Sequence, residues 1–263
     1  MKLIELDIIN LVIFFVTLFN FLLAYLIFPR RTKNLVNLSY LFVIFAVIVW
    51  SFSMIFFRSS DDHSMALRWA QLLYASATTT ATTFLIFCHL FPFQRPKISR
   101  LRLFIILVIN LFLILLCFIP GAIIKEVEIP AFGEKVIHWG IFYYIFYLLY
   151  VPSFFSYGYY ILIRKYGAVS GIQKARIRYV FLGYFISANL AMVTNLVLPT
   201  LNIFTLNWAG QVLTIIWNAL TTYAIVKYRL MDIRLVIKRS VLYSVLIVLF
   251  GALFVAAGYY LVG

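Results

Sequence analysis

LFIILVINLFLILLCFIP, residues 103–120, is an apolar run interrupted by a single Asn and closed by Pro120-Gly121, and its length decides the fold. Crossing about 30 Å of hydrocarbon takes roughly 20 apolar residues in a helix. Outward from this run, comparable stretches cover 6–28, 35–57, 65–91, 139–163, 179–198, 208–226 and 241–262. Phe28-Pro29-Arg30-Arg31, Phe91-Pro92 and Leu198-Pro199 mark other helix ends, whereas Pro152 falls inside the fifth run and predicts a kink there. With 65% hydrophobic residues and a mean hydropathy of +1.04, the chain is too apolar to hide its surface in a water-soluble core. The expected fold is an all-α integral membrane protein, a polytopic bundle of about eight transmembrane helices in a lipid bilayer.

Charge sets the direction. Arg30, Arg31, Lys33; Arg95, Lys97, Arg100, Arg102; Arg164, Lys165, Lys174, Arg176, Arg178; and Lys227, Arg229, Arg234, Lys238, Arg239 fall between alternate runs, and they are most of the 22 basic residues. The opposite face receives Glu5, Asp7, Asp61, Asp62, Glu126, Glu128 and Glu134, which leaves only Asp232 of the acids on the basic side. Basic loops stay in the cytoplasm, so the N-terminus is expected outside, in a multi-pass protein of the cell membrane. The formal net charge of +14 is explained by these loops and does not point to nucleic acid. Met1 to Asp7 lacks the basic start of a signal peptide, so the first run reads as a retained helix.

Three segments follow: a seven-helix bundle at 1–226, a basic connector at 227–240, and an eighth helix at 241–263. An eighth span would run outward and stop without a polar tail, which reads as a truncated protein. In the longest external connection, Glu126-Val127-Glu128-Ile129 and Lys135-Val136-Ile137 flank Pro130 to Gly133, so this segment is either a small hairpin over the bundle or a disordered loop.

Enzymatic classes are poorly served by this sequence. No acid and no Lys lies in the core of a span, which disfavours ion-coupled pumping. Nucleotide-binding, zinc-protease and nucleophile-elbow motifs do not occur. Cys88 and Cys117 lack metal-ligand spacing and fall toward opposite membrane faces, too far apart for a disulfide; His63, His89 and His138 are scattered near span ends. No catalytic residue, metal or cofactor is expected.

Neutral polarity at helical spacing remains. Gly183, Ser187, Ala191 and Asn195 recur every fourth residue in the sixth run, either as a packing ridge or as a polar wall. Asn207, Gln211, Thr214, Asn218 and Thr221 or Thr222 form one stripe in the seventh, open to the same two readings. Ser76, Thr79, Thr80 and Thr83 line the third below Arg68, Gln71 and Tyr74, and Trp50 lies deep in the second. Arg68 either snorkels to the headgroups or turns inward toward an acidic group. Tyr143, Tyr147, Tyr150, Phe154 and Tyr157 share one side of the fifth, as core, lipid face or ligand wall.

Ser170-Gly171-Ile172-Gln173-Lys174-Ala175-Arg176-Ile177-Arg178-Tyr179, with Gly183 after it, resembles the cytoplasmic loop and helix-six entry of the seven-helix N-terminal region of bacterial sensor histidine kinases. Thr194-Asn195-Leu196-Val197-Leu198-Pro199 is similar to that family's polar end of helix six. Tyr223-Ala224-Ile225-Val226-Lys227-Tyr228-Arg229-Leu230-Met231-Asp232-Ile233-Arg234 is similar to its exit from helix seven, and Trp50, Arg68 and Tyr74 fall where the family commonly has them. The resemblance implies a sensor that passes a signal to a cytoplasmic kinase or cyclase domain missing from this chain, usually within a homodimer. It supplies no agreed ligand contacts.

The reading that follows is a non-enzymatic input module. It binds a small unknown ligand or senses membrane state, with Trp50, Arg68, Tyr74, Asn195, Asn207, Gln211 and Asn218 as candidate polar-core residues. Arg229, Asp232 and Arg234 are the candidate transmission residues, in a connector that is either an amphipathic helix on the inner leaflet or a solvated loop. The alternatives are a transporter or channel for an uncharged or lipidic solute, and a non-sensing membrane scaffold.

Overall fold

The computed structural model describes residues 7–28, 35–93, 98–131 and 133–228. Seven long helices form where the apolar runs stand: α1 Ile8–Ile27, α2 Leu35–Ser59, α3 His63–Leu90, α4 Arg100–Phe118, α5 Tyr143–Gly167, α6 Gly171–Thr200 and α7 Ala209–Tyr228. Five of them, α1, α2, α4, α5 and α6, are long and apolar enough to cross a membrane. The expected eighth helix at 241–262 and the candidates Arg229, Asp232 and Arg234 lie outside the described residues.

Helix ends are set by local chemistry. The Asp7 carboxylate accepts from the Ile9 and Asn10 amides, Asp62 from Met65 and Ser99 from Arg102, which satisfies orphan donors at the starts of α1, α3 and α4. Two ammonium groups close C-termini. Lys135 Nζ donates to the Phe57 and Arg58 carbonyls of α2 at 2.6 Å each. At the other end of the bundle Lys165 Nζ donates to the Cys88, His89 and Phe91 carbonyls at 2.5–2.7 Å, sealing α3. The start of α6 lies well before the apolar run at 179, because Lys174, Arg176 and Arg178 are good helix formers with no breaker among them.

Lipid removes the hydrophobic drive between helices, so close packing and buried hydrogen bonds hold the bundle. Helix α3 occupies the middle, with seventeen buried residues that meet α2, α4 and α5. Helix α4 stands at the edge. It buries only Asn110, Leu113, Leu116 and Cys117, and turns Phe104 and Leu115 outward. Gly183 lets α6 lie against α7, since a methyl there would stand 3.0 Å from the Trp217 Cα. Ser187 Oγ adds a 2.7 Å bond to the Leu213 carbonyl.

The connection after α4 is a hairpin, β1 Ile124–Glu128 with β2 Val136–Trp139, antiparallel and bulged between Ile124 and Glu126. Ile124, Val127 and Ile137 are buried, and the bulge is what brings Ile124 and Val127, three residues apart, to the same face. Arg58 pins it to two helices through Glu134 at 2.5 Å and Asp7 at 3.2 Å. Gly140, directly after β2, passes so near the Gly121 and Ala122 carbonyls that a methyl would stand about 2.1 Å from them.

Two π turns interrupt the helices. Tyr143–Tyr147 opens α5 ahead of Pro152, and Val193–Val197 interrupts α6 ahead of Pro199. Proline cannot donate to the preceding turn and its ring crowds the carbonyl there; a widened turn relieves both problems. The irregularity expected from Pro152 therefore takes this form. Cys88 and Cys117 are both buried free thiols.

Candidate functional site

A cavity of about 60 Å³ opens between α2, α3, α5, α6 and α7 in the half of the bundle that carries the hairpin. Trp50, Tyr147, Phe155 and Trp217 supply aromatic walls, and Leu73, Val151, Met192 and Leu196 aliphatic ones. Polar groups come from Tyr74, Thr80, Ser187, Asn195, Asn207 and Thr214. No charged side chain is among the described residues that line it.

Helical spacing brings this wall together. On α6, Ser187, Ala191 and Asn195 fall on one side, and on α3 Tyr74, Ala77 and Thr80 do. The ridge on α6 thus serves both of its readings: Gly183 and Ser187 hold α7, while Ser187, Ala191 and Asn195 face the cavity. Asn195 is tightly held. Its Nδ2 donates to the Asn207 carbonyl, and its Oδ1 accepts from Thr194 Oγ1 at 2.8 Å. Such a clamp requires the glycine at 210, where a Cβ would lie 2.0 Å from Asn195 Oδ1 and 3.0 Å from Trp50 Cη2.

Aromatic rings connect hairpin and cavity. Trp139 of β2 stacks on Tyr143 at 3.9 Å and meets Tyr74 edge-on at 5.2 Å. Tyr74 in turn packs edge-on against Tyr147 at 5.3 Å, and Tyr147 donates its hydroxyl to the Tyr74 carbonyl at 2.9 Å. Of the aromatic side of α5, Tyr143, Tyr147 and Tyr150 are buried, whereas Tyr157 is 43% exposed.

Several polar atoms in this interior lack partners among the described residues. The Tyr74 hydroxyl and Asn207 Oδ1, both on residues that line the cavity, are two of them. Gln211, one turn further along α7 and fully buried, leaves both Nε2 and Oε1 unpaired. Each such group costs about 1–3 kcal/mol against a satisfied one. Asn218, deeper in the bundle, is satisfied internally: its Nδ2 donates to Asn20 Oδ1 at 2.7 Å, and its Oδ1 accepts from Trp217 Nε1 and from the Tyr40 hydroxyl. Between α3, α4 and α5, Thr82, Asn110 and Tyr150 form a second closed cluster at 2.6–3.4 Å.

Of the residues singled out from sequence, Trp50, Tyr74, Asn195 and Asn207 share the cavity wall. Gln211 lies buried on the same α7 face beside it, and Asn218 belongs to the deeper cluster with Asn20. Arg68 is exposed on α3, away from the cavity lining. Gly210, Trp139 and Asn20 were not singled out from sequence, and Asn110, the lone amide of the fourth run, was given no role there. Their roles depend on which helix lies opposite, and periodicity within one helix does not carry that.

Seven long helices around a neutral polar interior, closed at one end by a hairpin, define a multi-pass membrane bundle with no described catalytic grouping. Residues 12–234 match the family model described as the N-terminal 7TM region of histidine kinase, and the chain belongs to that family. A comparison with curated proteins finds no match. The resemblance seen in the 170–179, 194–199 and 223–234 stretches is borne out, and with it a multi-pass position in the cell membrane. The family is the sensory end of histidine kinases and not their catalytic domain.

Proposed function

We propose that this bundle binds a small ligand in the cavity beneath the hairpin and passes the resulting change along α7 to a cytoplasmic output domain. The N-terminus and hairpin stand outside, as the segregation of basic residues supports. Output runs through the connector at 227–240, with Arg229, Asp232 and Arg234, into an eighth span at 241–262. A kinase or cyclase domain, in a homodimer, receives it.

One observation carries this reading: the cavity wall is shared by five helices and holds buried polar atoms that no neighbour among the described residues satisfies. A scaffold would be more stable with those atoms paired or replaced by carbon, whereas a binding site keeps them for its ligand. Helix α7 contributes Thr214 and Trp217 to the wall, with Asn207 just ahead of its first turn, and is also the helix that leads to the connector.

The test is autophosphorylation of a histidine kinase carrying this chain as its input, with Asn195→Ala and Asn207→Leu introduced separately. A changed stimulus response at unchanged membrane level is expected. Loss of stability with an unaltered response would sink the proposal in favour of a scaffold. Uptake of a neutral solute by proteoliposomes holding this chain alone would favour a transporter instead.

A further inference from the structure

At the end of the bundle away from the hairpin, α2 and α4 both pack against α3 and leave a groove of about 360 Å³ along it. From its apolar lining, its length and the two arginines at its mouth, we infer that this groove takes one acyl chain of an anionic phospholipid, with Arg100 and Arg102 on the lipid's phosphate. It shares no described lining residue with the cavity beneath the hairpin.

Helix ends fix where the groove lies. Leu35 opens α2 and Leu90 closes α3, and both line it at the end where Arg100 begins α4. From there the α2 wall continues to Phe42 and the α3 floor to Thr83, seven residues each, or about 10 Å of helix rise. An interval of seven stays on one helix face, so the groove runs along the helices rather than across them. The same interval sets Arg100 on the α4 face of Leu107, the residue α4 contributes, two turns nearer the membrane surface. Arg100 and Arg102 are both exposed.

Two hydroxyls belong to the lining, and both are turned back on their own helices. Ser39 Oγ donates to the Val36 carbonyl at 2.9 Å, and Thr83 Oγ1 to the Thr79 and Thr80 carbonyls at 2.8 and 3.1 Å. With those donors engaged and no charged side chain in the described lining, the groove presents little but carbon. Its volume exceeds twice the roughly 150 Å³ of an engineered cavity that holds benzene, which leaves room for a chain. A packed helix, by contrast, needs a seam through the full hydrocarbon of about 30 Å, three times this length. The mouth selects among lipids. A guanidinium pairs bidentately with phosphate, and each basic residue near the surface favours an anionic headgroup about fivefold. A zwitterionic headgroup brings its own ammonium to oppose them.

Photolabelling of the full chain in phosphatidylcholine nanodiscs provides the test. The probe is phosphatidylglycerol with a diazirine in its acyl chain, compared with phosphatidylcholine and oleate labelled in the same way. Labelling of the peptides holding Phe42, Thr83 and Leu107 is expected to be at least about fivefold stronger with phosphatidylglycerol than with phosphatidylcholine, and to be displaced by unlabelled phosphatidylglycerol. Arg100→Gln with Arg102→Gln should make the two phospholipids equal. Thr83→Phe, which fills the groove floor and removes no bond between helices, should abolish groove labelling by both; Leu107→Trp fills it from the α4 side should that variant melt early. Even labelling of all lipid-facing helices would overturn the inference, as would a preference that survives the double glutamine variant. Oleate labelling as strong as that of phosphatidylglycerol would make a free fatty acid the occupant instead. A photo-crosslinking residue at Phe42 that captures a second copy, or residues 241–262, would show the groove covered by protein and overturn the lipid assignment.

Discussion

Gln211 concentrates the cost of the polar interior in one residue. Its carboxamide is fully buried and neither end is bonded among the described residues, so Gln211→Leu removes two unsatisfied atoms while keeping most of the volume. The substituted protein should be more stable by about 1–3 kcal/mol, read as a higher melting temperature in detergent. Unchanged or lowered stability would mean that Gln211 is already satisfied. Gly210→Ala should act in the opposite sense. The new methyl displaces Asn195 Oδ1 and breaks the clamp on the Asn207 carbonyl, at a cost of about 1–3 kcal/mol in the same assay. Asn207, Gln211 and Asn218 could be picked out in advance because three amides at helical spacing are conspicuous in an apolar run. The importance of Gly210 was not legible. It arises only where α7 crosses Asn195, which is a relation between helices distant in sequence.

At the scale of elements, the hairpin is fastened at a few points. Arg58 is 11% exposed in its side chain and reaches both Asp7 on α1 and Glu134 beyond β1, while Lys135 caps α2 beside it. Burial pushes the Lys135 ammonium below its ordinary range, and the nearby carboxylates, Asp61 foremost, act against this. Arg58→Ala should loosen the hairpin from α1 and α2 at a cost of about 2 kcal/mol, less than a fully buried pair because Asp7 and Glu134 are partly solvated. Faster hydrogen exchange at the Val127 and Ile137 amides would register it; unchanged protection would show that the apolar underside alone holds the strands. The hairpin was one of two readings from sequence, since alternation over so few residues is weak. Burial of Ile124, Val127 and Ile137 decides it in favour of strands. Helix positions were far more legible, because hydrocarbon thickness imposes a length that soluble proteins do not.

For the molecule as a whole, the helix directions make two further outcomes testable. Cys88 is close to the end of α3 near Lys165, and Cys117 close to the hairpin end of the antiparallel α4. At 1.5 Å per residue they are about 20 Å apart along the bundle axis, whereas a disulfide needs Cα atoms within about 7 Å. Mild oxidation should leave both thiols titratable after denaturation; an intramolecular disulfide would contradict this packing. A phosphatase reporter inserted at Ala131 should be active and one at Ala168 inactive, and the reverse pattern would invert the proposed orientation. Ligand identity and output were the least legible features. A cavity is assembled from five helices, and its chemistry emerges only once Tyr74 of α3 and Asn207 ahead of α7 line the same space.

The two widened turns, at Tyr143–Tyr147 and Val193–Val197, carry a consequence at this same scale. Each holds one residue more than a regular turn needs. Handing that surplus residue on by a single position turns the one residue it passes by about 100° and leaves the rest of the helix in place, for the loss and regain of one backbone bond. Tyr147 and Leu196, which belong to those turns, both touch the cavity. A contact made there can re-aim a single wall side chain while both ends of its helix stay where they are.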